Sequence, residues 1–159
     1  MTNDRKIIFY GKYFAEFYIE QTTTVQEKIE FVLKIVRTVD KIPKKYFDDL
    51  TGTKGLFEIR VESESNIFRI FCCFDEGNLV ILFNAFQKKS QRTPAEEIKL
   101  AEKLQKEYFI QKLEKQKKEQ VLLKNQKNKL TVISSAMICV AALIWLAPVA
   151  ARAQSISLK

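Results

Sequence analysis

Two arginines and a short basic cluster are the residues in this sequence whose types and spacing are suited to chemistry. Arg60 and Arg69 lie in successive strand-like runs, and the basic cluster, residues 87–94 (Gln-Lys-Lys-Ser-Gln-Arg-Thr-Pro), follows a third such run. Cations that strands deliver to one place can hold a bent phosphodiester, because Arg and Lys set fixed positive charge against phosphate oxygens. A structural interpretation stays open beside this one: Glu58 and Glu62 flank Arg60 at strand spacing, which favours a charged sheet face.

The charge balance of the whole chain agrees with a polyanionic partner. The 159 residues carry 27 Lys and Arg against 19 Asp and Glu, which gives a formal net charge of +8 and a sequence pI near 9.4. Nucleic acid and an anionic membrane surface both fit that balance. From charge alone, a solvated basic face is the simpler interpretation.

The absence of histidine narrows the chemistry further. The sequence contains no His, which excludes Ser-His-Asp and Cys-His arrangements and imidazole metal sites. Catalysis by this chain must therefore use Lys, Arg, Tyr or a carboxylate. Cys72 and Cys73 are adjacent in an apolar run, so they are expected to point to opposite faces of a strand as small core residues. Cysteine spacing fits no metal site, and the sequence predicts no cofactor.

The elements that must position these residues follow the order strand, two helices, three strands and helix. Aromatic residues at helical spacing indicate the first helix, Thr24 and Glu27 form a capping box that begins the second, and Pro94 suits the first turn of the third. The predicted strands cover residues 6–10, 56–62, 67–74 and 79–86, and the predicted helices cover residues 12–21, 24–39 and 94 onward. This order predicts an α+β domain over residues 6–108, in which a helical hairpin packs on a mainly antiparallel sheet.

Short motifs within this order are similar to those of a known toxin family. Residues 55–60 read Gly-Leu-Phe-Glu-Ile-Arg, residues 68–71 read Phe-Arg-Ile-Phe, and residues 86–98 contain Phe-Gln-Lys-Lys followed by Thr-Pro-Ala-Glu-Glu-Ile. Together with the element order, these strings resemble the phage-derived, HigB-like branch of the RelE/ParE toxin superfamily over residues 6–108. The resemblance implies the small α+β fold of that superfamily and a toxin that an antitoxin protein holds inactive.

The resemblance also implies a reaction and roles for single residues. Ribonucleases of this type need no metal: the ribose 2′-OH attacks the adjacent phosphorus, and the enzyme stabilises the developing charge and moves protons. Arg60 and Arg69 correspond to the strand arginines of the family, and Lys88 and Lys89 to the basic pair after the last strand. We therefore expect Arg69 to clamp the phosphate with support from Arg60, and Lys88 or Lys89 to transfer a proton or to contact the leaving oxygen. The residues expected to contact flanking RNA or to stack a base are Lys54, Phe86 and Arg92.

The C-terminal part of the chain has a different composition. Residues 111–129 are rich in lysine and predict a solvated helical linker after the toxin-like domain, residues 1–110. Residues 130–151 are uncharged and long enough for a hydrophobic transmembrane helix, followed by a short polar tail at residues 152–159. More lysines precede this segment than follow it, which predicts a cytoplasmic catalytic domain anchored to the inner membrane. A fused reading frame carrying an export signal is the alternative, because residues 151–153 read Ala-Arg-Ala.

Three functions stay open from the sequence. The leading one is the toxin component of a type II toxin–antitoxin system, a ribosome-dependent endoribonuclease that cleaves messenger RNA and inhibits translation. Its partners would be an antitoxin, messenger RNA and the ribosome. The second function is non-catalytic, ParE-like inhibition of DNA gyrase, since relatives in that branch act without cutting RNA. The third is a membrane-tethered interaction protein whose basic linker lies on anionic lipid.

Overall fold

The computed structural model describes the backbone of residues 4–154 and the side chains of residues 4–129. Within those residues the chain forms three helices and five strands. In chain order they are β1 (Lys6–Phe9), α1 (Tyr13–Ile19), α2 (Thr23–Thr38), β2 (Phe47–Asp49), β3 (Leu56–Ser63), β4 (Asn66–Asp75), β5 (Leu79–Gln87) and α3 (Ala95–Gln154). The chain divides into two compact units, Met1–Ile110 and Gln111–Lys159, and the first unit contains all five strands.

A single mixed sheet organises the first unit. Its strand order is β1-β5-β4-β3-β2, with β1 and β2 at the two edges. β1 pairs with β5 in parallel, whereas the other three neighbouring pairs are antiparallel. The predicted α+β fold with a mainly antiparallel sheet is therefore confirmed.

The sheet carries a hydrophobic core on each face. On one face α1 and α2 cover the sheet, with Ile29 and Val36 of α2 packed against Ile59 and Ile70. On the other face the start of α3 covers a second core that contains Phe71 and the helix residues around Ala101. The predicted helical hairpin on the sheet is confirmed, and burial of apolar side chains on both faces provides the main driving force for this arrangement.

The beginning of α2 differs from the prediction. The N-cap is Thr22, whose side-chain oxygen accepts a hydrogen bond from the Val25 backbone N–H at 3.5 Å. The predicted capping box of Thr24 and Glu27 is therefore wrong, because Thr24 already lies inside the helix. Three successive threonines offer the same capping chemistry, and the first of them is the N-cap.

A buried arginine satisfies the other end of α2. The Arg5 guanidinium donates hydrogen bonds to the backbone carbonyls of Val36, Val39 and Asp40 at 2.9, 2.6 and 2.8 Å. The last carbonyls of a helix have no intrahelical donors, and a cation there also complements the negative end of the helix dipole. Arg5 thereby ties the chain just before β1 to the end of α2.

The sequence did not predict β2. Its three residues pair with β3 in antiparallel register, from Phe47 opposite Ile59 to Asp49 opposite Phe57. Two consecutive aspartates disfavour a strand by intrinsic propensity. Stacking of Phe47 on Phe57, with ring centroids 5.1 Å apart, supplies a cross-strand contact that local propensity does not describe.

The two strand cysteines behave as predicted. Cys72 packs in the core under α1 and α2, and Cys73 packs in the core under α3, and both are free thiols. Burial is the main cause that raises the pKa of Cys73 to about 12 and the pKa of Cys72 well above its ordinary value. Both side chains are therefore neutral, small core residues at physiological pH.

The prediction of a transmembrane helix over residues 130–151 is wrong. Among the residues that the structure describes, no helix is both long enough and apolar enough to cross a membrane. α3 is long, but residues 95–129 place a charged side chain in nearly every turn, which a hydrocarbon interior excludes. The side chains of residues 130–151 themselves lie outside the described residues. The predicted inner-membrane anchor is corrected together with the helix. The predicted contact with a membrane is not shown by these residues.

Candidate functional site

The two predicted strand arginines lie side by side. Arg60 of β3 is directly opposite Arg69 of β4, and Arg69 is directly opposite Phe86 of β5. Directly opposed residues point to the same face of a sheet, with Cβ atoms about 5 Å apart. Because Phe71 and Phe86 belong to the core beneath α3, this row of three residues lies on the α3 face of the sheet.

Arg60 is held by carboxylates on both sides. Its Nε donates to Glu58 Oε1 at 2.7 Å, and its Nη2 donates to the same oxygen and to Asp48 Oδ2, the latter at 2.9 Å. Its Nη1 donates to the Lys44 carbonyl at 3.3 Å. Most of the guanidinium donors of Arg60 therefore already have acceptors within the protein.

Arg69 is more deeply buried than Arg60. Only 8% of Arg69 and 7% of Glu58 is exposed. Arg69 Nε lies 3.3 Å from Glu58 Oε2, close enough for an ion pair, but the atom makes no hydrogen bond in the described structure because the N–H is not directed at that oxygen. We treat the contact as a charge–charge interaction. Nη1 donates to the Phe68 carbonyl at 3.2 Å.

Burial and partners shift the pKa values of the two arginines in opposite directions. For Arg69, burial is the main cause of a pKa below the ordinary arginine value; the charge of Arg60 adds to this, and Glu58 and Glu62 oppose it. Burial also acts to lower the pKa of Arg60, but the hydrogen bonds and charges of Glu58 and Asp48 outweigh it and leave that pKa raised. Both guanidinium groups remain protonated, since arginine does not lose its proton in proteins.

We call Asp48, Glu58, Arg60 and Arg69 the ionic cluster. Its two positive and two negative side chains balance, so the cluster presents little net charge to a ligand. Glu58 contacts both arginines, and its negative charge offsets the repulsion between them. Glu58 was predicted only as a neighbour of Arg60, and Asp48 was missed because it belongs to the unpredicted strand β2.

The basic residues after β5 have a different environment. The Lys88 backbone N–H donates to the Ile67 carbonyl at 2.7 Å and so continues the β4–β5 ladder by one residue. Lys88 is thus a diagonal neighbour of Arg69 on the same face, a separation of about 7–8 Å. Lys88 is half-buried, while Lys89 and Arg92 are exposed in the loop that leads to α3. The structure therefore brings Arg60, Arg69 and Lys88 together and leaves the loop cations open to solvent.

Two other predicted RNA contacts, Phe86 and Lys54, offer this group little: Phe86 lies beside Arg69 but is buried, and Lys54 lies away from it. Phe86 packs against Phe71, with ring centroids 5.4 Å apart, so most of its ring is buried in the core and little of it is open to a base. Lys54 lies before β3, near the opposite end of the sheet, and its carbonyl accepts a hydrogen bond from Gln105 Nε2 at 3.1 Å. β3 starts only two residues after Lys54, and its first residue, Leu56, lies roughly 13 Å from Arg60 along the strand.

A buried asparagine connects β5 with α3 near the site. Asn84 Nδ2 donates to the Glu97 carbonyl at 3.2 Å and to Glu97 Oε2 at 2.8 Å. β4 and β5 change register between Ile70 and Cys72, which leaves Asn84 at the irregular step. The contact fixes the first turn of α3. It thereby also fixes the end of the loop formed by the basic cluster, residues 87–94, which we call the basic loop. A polar residue inside an apolar strand was the available sequence signal.

Metal chemistry has no support from acidic or thiol clusters in this part of the chain. Across the described residues, no group of three or more His, Cys, Asp or Glu side chains is arranged to hold a metal ion. The Asp48 and Glu58 oxygens that lie closest to the site are occupied by arginine donors.

Comparison with known families identifies the class of protein. The family described as phage derived protein Gp49-like (DUF891) matches residues 18–106, more than half of the chain, including the ionic cluster and the basic loop. The chain belongs to this Gp49-like family, whose members are RelE/ParE-like toxins. A search of curated proteins finds no match. The predicted toxin superfamily is thus confirmed, and membership in it suggests an antitoxin partner. The HigB-like branch stays a prediction.

Proposed function

We propose that this chain is the toxin component of a type II toxin–antitoxin system and that it cleaves messenger RNA on the ribosome. Membership in the Gp49-like family supports the toxin class. The observation that supports the nuclease assignment is geometric: Lys88 lies diagonal to Arg69 and shares a face with Arg60 at the end of the β4–β5 ladder. A cation cluster of this kind is suited to a phosphodiester whose 2′-OH attacks the neighbouring phosphorus.

The ionic cluster and the basic loop take different roles in this proposal. Arg69 clamps the phosphate although only 8% of it is exposed, and Arg60 supports it by holding Glu58 from the other side. The charge of the cluster is balanced, so the positive charge that stabilises the transition state comes from Lys88 and Lys89. One of these lysines also transfers a proton. Glu58 is a poor acceptor for the 2′-OH proton, because Oε1 already accepts hydrogen bonds from Arg60 and Oε2 lies beside the positive charge of Arg69.

The remaining predicted contacts fit the message at separate places. Arg92 is exposed in the same loop as Lys89 and can hold a neighbouring phosphate. Lys54 is exposed at the other end of the sheet, so it contributes only if the RNA strand crosses the domain. Phe86 supports the site mainly through its packing on Phe71.

Induction of the full-length chain in bacteria tests this proposal. The wild-type chain should arrest growth and generate new 5′ ends inside coding regions, whereas the Lys88→Gln, Lys89→Gln double variant should leave messages intact. A matched control is Lys99→Gln with Lys106→Gln, which removes the same charge from exposed positions of α3. Growth arrest with intact messages would contradict nuclease activity.

A specific observation also favours a second function. Both strand arginines are paired with carboxylates inside the protein, which suits a toxin that acts by binding, as a ParE-like inhibitor of DNA gyrase does. A supercoiling assay with purified gyrase separates the two candidates. Inhibition of supercoiling by the full-length chain, with unchanged messages in the cell, would favour this second function.

A further inference from the structure

A pocket between α2 and the segment before β2 combines aromatic rings with lysines. Its cavity of about 230 Å³ borders the predicted site at Arg60, and Glu62 also lines it from β3. Phe31 and Tyr46 contribute two rings that meet edge to face, with centroids 6.4 Å apart. Lys28 and Lys45 line the same pocket. We call Phe31, Tyr46, Lys28 and Lys45 the aromatic–lysine pocket.

Each ring of this pocket carries a lysine over its face. Lys45 Nζ lies 4.6 Å from the centroid of the Tyr46 ring, and Lys28 Nζ lies 5.8 Å from the centroid of the Phe31 ring. Within the described part of the chain, neither lysine takes part in an ion pair. The positive charge of both lysines is therefore available to an outside anion, unlike the charge of Arg60.

The Phe31 ring is exposed to solvent, and exposure of apolar ring surface to water is unfavourable. Phe31 is 51% exposed although Val32, beside it on α2, is buried. An exposed aromatic face flanked by lysines is the combination that binds single-stranded nucleic acid, because a base stacks on the ring and its phosphates meet the cations. A solvated surface ring is the simpler interpretation of Phe31 alone, but it does not account for the two lysines held over the two rings.

The backbone beside the pocket is fixed rather than loose. The Tyr46 N–H donates to the Pro43 carbonyl at 2.9 Å, and the Tyr46 carbonyl accepts from the Arg60 N–H at 2.8 Å. Arg60 Nη1 also donates to the Lys44 carbonyl. The segment that carries Lys45 and Tyr46 is thus attached to β3 at the ionic cluster. The fixed Tyr46 ring contacts the Phe31 ring and helps to position it, which lowers the entropy lost when a base stacks on Phe31.

We propose that the aromatic–lysine pocket is a second RNA subsite, which stacks one unpaired base on Phe31 and holds the adjoining phosphates with Lys28 and Lys45. This inference rests on the proposed function for its choice of RNA as ligand, and it extends the message path from the basic loop past Arg60. Stacking recognises any base, so the subsite adds affinity without sequence preference.

Binding of a labelled, single-stranded 12-nucleotide RNA by the full-length protein tests the subsite through fluorescence anisotropy. Phe31→Leu keeps an apolar side chain but removes the π-face, and it should weaken binding by roughly tenfold. Phe31→Trp keeps an aromatic face and should bind the RNA with about the affinity of the wild-type protein. The matched control Phe9→Leu replaces another exposed phenylalanine, on β1, and should leave the affinity unchanged.

The lysines are tested by the salt dependence of the same binding. Lys28→Gln with Lys45→Gln should reduce the slope of log K against log salt by about 1.4, since each lost phosphate contact on a single strand removes about 0.7. Lys34→Gln, an exposed lysine on the same helix, is the control for Lys28. Unchanged affinity in Phe31→Leu would overturn the subsite, as would equal competition by polyglutamate, which carries charge without bases.

Failure of this inference and failure of the proposed function are distinguishable. Loss of RNA binding in Phe31→Leu would support the subsite even if the wild-type chain produced no new 5′ ends. New 5′ ends with unchanged binding in Phe31→Leu would overturn the subsite and leave the nuclease proposal intact.

Discussion

The ionic cluster and the aromatic–lysine pocket share Arg60 at their border, yet they differ in how their charge is used. In the cluster, four charged side chains satisfy one another, and Arg69 and Glu58 are almost fully buried. In the pocket, Lys28 and Lys45 are exposed and lie over aromatic rings. A cation can act on a ligand only to the extent that the fold has not already neutralised it. The most conspicuous arginines of the sequence are therefore better suited to support a site than to provide its free charge.

The largest expected effect is loss of stability when the shared carboxylate of the cluster is removed. Glu58→Gln keeps the shape of the side chain but removes the carboxylate that contacts the buried Arg69 guanidinium. The free energy of unfolding should fall by about 3 kcal/mol, as for other broken buried ion pairs. Urea denaturation followed by circular dichroism measures the change.

Glu62→Gln provides the matched control for that measurement. Glu62 is exposed, four residues after Glu58 along the same strand and on the same face. Its replacement should change the free energy of unfolding by less than about 0.5 kcal/mol. Equal effects of the two substitutions would mean that the cluster behaves like an ordinary surface ion pair.

The second largest expected effect is a loss of activity that leaves the stability of the protein unchanged. In a translation reaction with purified ribosomes, Lys88→Gln with Lys89→Gln should slow message cleavage by about 100-fold or more, within the range of a lost proton-transfer group. The midpoint of urea denaturation should stay at its wild-type value, because neither side chain is in the core. A parallel loss of stability would show that the loop lysines are structural and would weaken the contrast with the cluster.

A smaller expected effect is the different response of the ionic cluster and the aromatic–lysine pocket to salt. The stability difference between wild type and Glu58→Gln should change by less than about 1 kcal/mol between 0.05 and 0.5 M NaCl, since buried charges are screened little. Binding of single-stranded RNA should weaken at least tenfold over the same range. Denaturation curves and anisotropy titrations at both salt concentrations give the two numbers. Salt-insensitive RNA binding would contradict phosphate contacts by exposed lysines.

The smallest expected effect is the change in stability of the pocket variant. Phe31→Leu should alter the free energy of unfolding by less than about 0.5 kcal/mol, because the ring is half exposed and lies outside both cores. The same urea experiment checks this. A loss above about 2 kcal/mol would identify Phe31 as a packing residue. It would then argue against RNA binding as the reason for the exposed ring.

Sequence periodicity predicted most of the sheet well. The strands beginning at Leu56, Ile67 and Leu79 were placed within one residue of β3, β4 and β5, because apolar side chains fill both faces and a tight turn at Gly77 separates the last two. β2 was missed because a cross-strand aromatic contact stabilises it rather than its own propensity. The transmembrane helix was predicted wrongly from apolar length alone.

The candidate site was less predictable than the sheet. Sequence reasoning could place Arg60 and Arg69 on adjacent strands, but only the register makes them direct neighbours. Compensation by Asp48 depended on the missed strand. The aromatic–lysine pocket escaped because its two lysine–aromatic pairs come from separate elements and meet only through tertiary packing.

The parallel pairing of β1 with β5 has a consequence for synthesis of the chain. β1 ends at Phe9, and its partner strand starts only at Leu79, so roughly 4–14 seconds of translation separate them at ordinary bacterial elongation rates. During that interval α1 and α2 can form, but the sheet beneath them is incomplete, and the row of Arg60 and Arg69 lacks Phe86. A nascent chain released before residue 79 would expose its apolar helix faces, and it is expected to be degraded before it could act as a toxin.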